Sequence, residues 1–358
     1  MSSFPQPSSL GHDLKTSDFD YVLPPELIAQ TPLEQRDDSR LLVLDKGSGA
    51  IHHTMFKELS SWLTPGDLFV ANNSRVIPAR LRGHRVGTGG TVELLLLRQC
   101  EGSWRALAKP AKRLVPGTNL SFPAHDPARV PAQAEVEANL GEGEIRVRFA
   151  DGADQHLSDY GEMPLPPYIT HSLSDGDRYQ TVYASSLGSA AAPTAGLHFT
   201  KDLLCDFKHR GFHWTEVTLH VGLDTFRPVT ADHILDHRIH QEWCAVDVAA
   251  AQAIADVRRR GNRVVAVGTT AARTLETIGR DWGDTRPTGF AGMTGAFIVP
   301  GHRWTLVDAL VTNFHLPRST LLMMVSALAG REAVLRAYEE AVKEGYRFYS
   351  FGDAMLIR

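Results

Sequence analysis

The chain has 358 residues, 43% hydrophobic and 22% charged, with a formal net charge of -4. This is the composition of a soluble globular protein with room for one large domain or two ordinary ones, and it excludes a protein that coats nucleic acid by overall charge. The three cysteines, Cys100, Cys205 and Cys244, are odd in number and far apart, which fits free thiols in a reducing cytosol and no metal or disulfide framework.

In chain order, the first segment, MSSFPQPSSLGHDLKTSD, is rich in Ser and Pro and lacks the basic-then-apolar layout of a signal peptide. Residues 1–17 are expected to be a disordered extension. Between Asn72 and Arg113 nine basic residues face only Glu93 and Glu101, a net +7 that leaves -11 for the rest. A basic module on an acidic body points to contact with nucleic-acid phosphates, against the alternative of surface charges paired with acidic neighbours. The same region predicts short strands at Arg80–Val86, Thr91–Arg98, Trp104–Lys109, Ala134–Asn139 and Glu144–Phe149, with Gly-rich turns between them. Such spacing predicts a small antiparallel barrel at 76–149. The GTGG segment at 87–90 is a hairpin turn on this reading, since no helix follows it.

The second half alternates between strands and helices. Thr200 is placed to cap a helix from Lys201 to Arg210, ended by Gly211. His213–Val221 alternates as a strand, with Thr218 and His220 on the face opposite Val217, Leu219 and Val221. Asp247 starts an Ala-rich helix that stops at Gly261; the continuous apolar strand RVVAVG follows, then the helix TTAARTLETIG. Trp304–Thr312 reads as a strand, Ser319 caps an apolar helix, Arg331–Glu344 is an amphipathic helix, and Tyr346–Ser350 is the last expected strand. The longest apolar run, Leu321–Ala329, is too short to span a bilayer, so no membrane association is expected.

Polar residues gather where three strands end, in HVGLDTFRP, GTTAAR and TNFHLPRST, and ligands of α/β folds bind beyond the carboxyl ends of strands. Thr269 and Thr270 stand at a helix start, where free N–H groups and the dipole favour an anion, with Arg273 one turn on. The alternatives are an ordinary cap for Thr269 and an intrahelical pair between Arg273 and Glu276. Among sixteen histidines, His198, His220, His237, His240 and His315 lie in or near the polar stretches, suited to acid or base work near neutral pH. His237, His240 and Glu242 have metal-like spacing without a third histidine or cysteine, and no metal site is expected. The usual P-loop, GxSxG and strand-to-helix GxGxxG signatures are missing from the sequence.

From about residue 18 to 357 the chain resembles the S-adenosylmethionine:tRNA ribosyltransferase-isomerases of queuosine synthesis. The resemblance is carried in order by FDYVLPPELIAQTPLEQRDDSRLLVLD, NNSRVIPARL, MPLPPYI, DRYQTVYA, AAPTAGLHFT, HVGLDTFRPV, GTTAARTLE, VDALVTNFHLPRSTLLMMVSALAG and YRFYSFGDAMLI. It implies a large mixed α/β, barrel-like domain, here 18–75 and 150–358, with an inserted small antiparallel β-barrel. It implies a cytoplasmic enzyme, expected to be a monomer, that moves and isomerises the ribosyl part of S-adenosylmethionine onto the preQ1 base, 7-aminomethyl-7-deazaguanine, at the wobble position of tRNA. The product would be epoxyqueuosine, with adenine and methionine released. S-adenosylmethionine is then a consumed co-substrate, and no cofactor is implied.

Removing a C5′ proton beside the sulfonium needs a base, and adenine departs more easily when protonated. His198, His220 and His315 are the candidates for these roles. Thr194, Arg227, Thr269, Thr270, Arg273 and Asn313 are candidates for S-adenosylmethionine or the modified base. Arg75, Arg80, Arg82, Arg85, Lys109, Lys112 and Arg113 are candidates for the tRNA backbone. Asp224 stands where the family pattern has glycine, Gly295 where an acidic residue is common, and Asn73 where Asp is frequent. Two rivals make other predictions: a methyltransferase would yield S-adenosylhomocysteine, and a noncatalytic RNA-binding protein would need no convergence of polar residues at strand ends.

Overall fold

The computed structural model describes residues 13–171, 173, 175–222, 229–282 and 288–358. The chain first forms β1 (Arg40–Leu44), β2 (Ile51–Met55), β3 (Leu68–Asn72) and β4 (Ser74–Val76). Then come β5 (Arg80–Arg85), β6 (Thr91–Cys100), β7 (Ser103–Lys109), β8 (Asn119–Phe122), β9 (Ala132–Gly141), β10 (Glu144–Phe149) and β11 (Gly161–Glu162). The remainder supplies β12 (Ser186–Ser189), α1 (Lys201–His209), β13 (His213–Leu219), β14 (Glu242–Val246), α2 (Val248–Arg259), β15 (Val264–Val267) and α3 (Thr269–Trp282). It ends with β16 (Phe290–Thr294), β17 (Ala309–Asn313), α4 (Thr320–Ala329), α5 (Arg331–Lys343) and β18 (Ala354–Ile357).

Contacts divide the chain into two compact units: Met1–Ser74, Pro167–Ser186 and Pro193–Arg358 in one, Arg75–Pro166 and Leu187–Ala192 in the other. The second unit thus continues past residue 149, where the barrel was expected to end, because β11 pairs with β5 and extends the sheet. In the first unit the expected extension of 1–17 is also shorter: Thr16 is buried, and its N–H and hydroxyl bond to Asp232 and Ala231. Residues 1–12 lie outside the described residues.

The smaller unit is an antiparallel barrel in which β5, β6, β7, β10, β9 and β8 pair in that order and β5 returns to β8. Its interior is filled by alternate residues such as Leu81, Leu94, Leu96, Ala106, Val136, Ile145 and Val147, the period of two expected of a pleated wall. Closure depends on Gly83. A Cβ there would stand 2.2 Å from the Ser121 carbonyl oxygen on β8, so only glycine lets the last seam close. The 87–90 segment is the β5–β6 turn, as expected.

The larger unit is built on a nine-stranded sheet ordered β16-β14-β13-β3-β15-β17-β18-β1-β2. The expected barrel-like layer is therefore a mixed sheet with β16 and β2 at its edges. β13, β3, β15 and β17 are mutually parallel, so their carboxyl ends share one edge. β3, β15 and β17 are buried at every position, and apolar except at their carboxyl ends, because both faces are covered. Val70, Val264, Ala266, Leu310 and Met355 join one core with residues of α2 to α5. Phe69, Val265, Val267, Val311 and Leu356 join another with Phe56, Phe199 and α1. The expected caps are formed: Thr200, Asp247 and Ser319 each accept from the backbone N–H three residues on.

Two expected strands differ. Only Ala309–Asn313 of the Trp304–Thr312 segment is a strand, because the N–H groups of Thr305, Leu306 and Val307 turn to the buried Glu276 carboxylate at 2.9, 2.9 and 3.0 Å. Tyr346–Ser350 is not the last strand; Asp353 accepts from the N–H of Arg347 and of Arg40, folding that segment into a turn before β18. Glu276 also receives the Thr305 hydroxyl at 2.9 Å and His302 Nε2 at 3.0 Å. Burial alone would raise its pKa, and these donors reverse the sign and hold it low. Replacing Glu276 by Ala leaves three inward N–H groups unpaired, each costing about 1–3 kcal/mol. The variant should unfold at markedly lower urea, and a midpoint unchanged from the parent would contradict this account.

Candidate active site

The shared edge of the four parallel strands is organised by Asn72 at the end of β3. Its Nδ2 donates to the Leu219 carbonyl at 2.9 Å and to Thr270 Oγ1 at 3.2 Å, while its Oδ1 accepts from the N–H groups of Leu219 and Ser74. One buried amide thus joins β3, β13 and the start of α3. Gly268, with φ +87°, makes the turn from β15 into α3, and a Cβ there would lie 3.4 Å from that of Ala195. The Thr194–His198 turn is thereby laid against the β15–α3 junction. Thr269 and Thr270 are both buried at this helix start; Thr269 is the first residue of α3 and not the cap before it, and Thr270 serves the Asn72 network.

Asn313 ends β17. Its Nδ2 donates to His198 Nε2 at 3.0 Å and to the Tyr349 carbonyl at 3.1 Å, and its buried Oδ1 has no partner. With Nε2 accepting, the neutral His198 ring carries its proton on Nδ1 and donates to Ser39 Oγ, 2.7 Å away. The ring stacks on Phe56. His315 instead takes its bond from the preceding Thr312, with Nε2 2.7 Å from Oγ1. Thr312 and Asn313 are consecutive in a strand and so point to opposite faces. The end of β17 therefore separates the two histidines rather than joining them. His220 follows β13 directly, stacks on Trp243 and leaves a buried Nδ1 without a partner.

Arg273 does not pair with Glu276 along α3. Its Nη1 makes a buried ion pair with Glu242, its Nε donates to the Ala296 carbonyl at 3.2 Å, and its Nη2 is unpartnered. Glu242 Oε1 accepts from the Gly222 N–H at 2.7 Å, which ties the pair to the end of HVG. Arg273 lies in the wall of a narrow pocket lined also by His237, His240, Phe297, Ile298, Leu321 and Met324. Thr194 is half-buried at the start of its turn. Arg227, and Asp224 with it, lie outside the described residues.

The basic candidates belong to the barrel unit. Arg80 and Arg82 share Glu93 at 3.7 and 3.5 Å, and Arg82 also meets Glu162 at 3.2 Å. These two are paired surface charges, the alternative weighed for the basic stretch. Lys109, Lys112 and Arg113 are exposed, and neither they nor Arg85 form an ion pair among the described residues. Arg75 is half-buried beside β4's start.

The sequence profile of the queuosine biosynthesis protein family matches residues 16–357. The chain belongs to this family. It is 51% identical over 346 residues to the S-adenosylmethionine:tRNA ribosyltransferase-isomerase of Carboxydothermus hydrogenoformans, a match covering 96% of this chain and 100% of that one. It is also similar to the crystal structure of S-adenosylmethionine tRNA ribosyltransferase from Thermotoga maritima, at 40% identity and a TM-score of 0.56, covering 96% and 100% of the two chains. In this member of the queuosine biosynthesis family, sequence patterns pointed to the ends of β13, β15 and β17 but not to Asn72 or Ser39, and they grouped Glu242 with His237 and His240 but not with Arg273. Asn72 and Glu242 lie within or beside quoted motifs; only their placement at strand ends marks them out.

Burial lowers the His198 and His315 imidazoles from the usual 6.5 to about 3, with Arg347 and Arg36 adding to the effect at His198. The unfolded chain takes up protons near pH 6.5 while the folded one refuses them. Their contribution to stability is therefore complete above about pH 6.5 and is lost as the pH falls toward 3. Urea unfolding should show stability dropping through this window. The His315→Asn variant should show a shallower drop, and one as steep as the parent's would contradict the assignment.

Proposed function

We propose that the chain catalyses transfer and isomerisation of the ribosyl moiety of S-adenosylmethionine onto preQ1, 7-aminomethyl-7-deazaguanine, at the wobble position of tRNA. The products are epoxyqueuosine, adenine and methionine. The observation that carries this reading is the 51% identity, over 96% of the chain, to a relative named for S-adenosylmethionine:tRNA ribosyltransferase-isomerase activity. The strand-edge geometry supports it by supplying the groups the chemistry needs. S-adenosylmethionine is consumed, so the reaction uses no resident cofactor. The enzyme works in the cytoplasm as a monomer, and among the described residues no helix is long and apolar enough to cross a membrane.

The roles follow from which atoms are already engaged. A base must accept a proton from C5′, and His220 is a candidate whose ring keeps a buried nitrogen without a partner; burial lowers its pKa and keeps it neutral. His198 has Nε2 occupied by Asn313, and His315 has Nε2 occupied by Thr312. These two serve as neutral hydrogen-bonding groups until substrate displaces a partner. The unpartnered Arg273 Nη2 receives the methionine carboxylate, and the apolar wall of Ile298, Leu321 and Met324 suits the thioether chain. Thr269 and Thr270 offer the N–H groups of the helix start to the same anion. The free Asn313 Oδ1 accepts from a ribose hydroxyl or the base, with Thr194 on the adjoining turn and Arg227 as a further candidate for the same ligand. The tRNA backbone meets the barrel's exposed Lys109, Lys112 and Arg113 and its half-buried Arg85, with Arg75, Arg80 and Arg82.

The test is product analysis after incubation with S-adenosylmethionine and tRNA bearing the deazaguanine precursor. Free adenine and methionine should appear in equal amounts, without S-adenosylhomocysteine; release of neither overturns the reading. His220→Ala should lower turnover by about 10²–10⁴ while S-adenosylmethionine still binds, and full turnover would remove His220 as the base.

A further inference from the structure

A second narrow pocket opens beside His198, lined by Pro32, Leu33, Arg36, Ser39, Arg178 and Gly352 among others. Its charge is unusual. Arg36 donates to the carbonyl oxygens of Leu197 and Asp177, at 3.3 and 2.9 Å. Arg178 donates to the carbonyls of Leu33 and Glu34, and Arg347 behind it to that of Thr31. None of the three forms an ion pair among the described residues, and buried Nε of Arg178 and Nη1 of Arg347 have no partner at all. Burial, and after it the charge of Arg178, lowers the Arg36 pKa against the opposing pull of Asp175 and Asp177, and burial lowers that of Arg347 against Asp353.

Guanidinium groups held by carbonyl dipoles keep their full positive charge and their remaining donors. Gathering several of them costs Coulomb repulsion, and a structure that tolerates this gains when an anion arrives. The barrel's basic residues belong to the other unit, so this cluster is a separate centre of positive charge within the unit that carries the histidines.

We propose that the Arg36–Arg178 pocket is an oxyanion subsite that seats a phosphate of the substrate RNA chain beside His198. The inference rests on the proposed tRNA substrate. The same chemistry would accept one other source, the carboxylate of S-adenosylmethionine, and binding measurements separate the two. Equilibrium binding of tRNA and of S-adenosylmethionine is measured separately for the parent, Arg178→Gln, Arg36→Gln and the charge-keeping Arg178→Lys, across a salt series.

The expected result is tRNA binding weakened about tenfold in the Gln variants, a salt slope smaller by about one, recovery in Arg178→Lys, and unchanged S-adenosylmethionine binding. Weakening confined to S-adenosylmethionine would uphold the oxyanion subsite and assign it to the carboxylate. Folded Gln variants that bind both ligands with parental affinity and slope overturn the proposal. Should the Gln variants fail to fold, the parent enzyme decides: inorganic phosphate should displace tRNA or S-adenosylmethionine more strongly than chloride at equal ionic strength, and equal displacement overturns it. These measurements need no turnover, so they stand apart from the adenine-release test of the reaction itself.

Discussion

The site depends on a single buried carboxamide. Asn72 sits where the ladder of β3 runs out and a strand end would otherwise leave polar backbone groups unmet. Its four bonds hold β3, β13, the chain at Ser74 and the first turn of α3 in one register. A donor and an acceptor on one short, rigid group can do this; an aspartate in its place would offer acceptors alone and face the Leu219 carbonyl with like charge. Three of the candidate groups stand along this edge: His220 one residue past Leu219, the α3 start beyond Gly268, and Asn313 two strands away.

Around that edge the protein keeps its reactive groups neutral and its arginines partly idle. His198 and His315 are buried deeply enough to stay uncharged at physiological pH. Their positions on opposite faces of the β17 end divide the site into an α3 side and an α1 side. The α3 side holds Arg273, fixed by Glu242 yet retaining an open Nη2. A buried pair of this kind stabilises little in net terms, so its value lies in orienting a guanidinium toward the neighbouring pocket. The α1 side holds His198, Asn313 and Ser39. Each side therefore offers a fixed cation or amide next to a neutral imidazole, an arrangement that suits a substrate carrying a sulfonium, a carboxylate and a ribose.

Much of this was legible in the chain, in proportion to how local each signal is. Caps at Thr200, Asp247 and Ser319 depend on contacts three residues away and were read correctly. Five of the barrel strands alternate with period two and were found within a few residues, while β8 and β11 were missed, since strands of four and two residues carry little or no periodicity. Buried parallel strands such as RLLVL and LFVAN have no alternation to read, so β1 and β3 escaped notice, and with them Asn72. The Trp304–Thr312 segment looked extended because its residues are apolar and β-branched; a carboxylate from α3 captured its N–H groups instead. Arg36 and Arg178 lie in widely separated motifs, and only the fold brings them to one pocket. The pairing of Arg273 with Glu242 in place of Glu276 is likewise a tertiary choice that overrode a weak intrahelical one.

The central claim is that the carboxyl edge of β13, β3, β15 and β17 is where S-adenosylmethionine reacts. The most direct measurement is a crystal structure with S-adenosylmethionine or an unreactive analogue bound. The account predicts the ribose at that edge, the carboxylate within hydrogen-bond reach of Arg273 and C5′ facing His220. A ligand seated away from this edge, with Arg273 and His220 untouched, would contradict it.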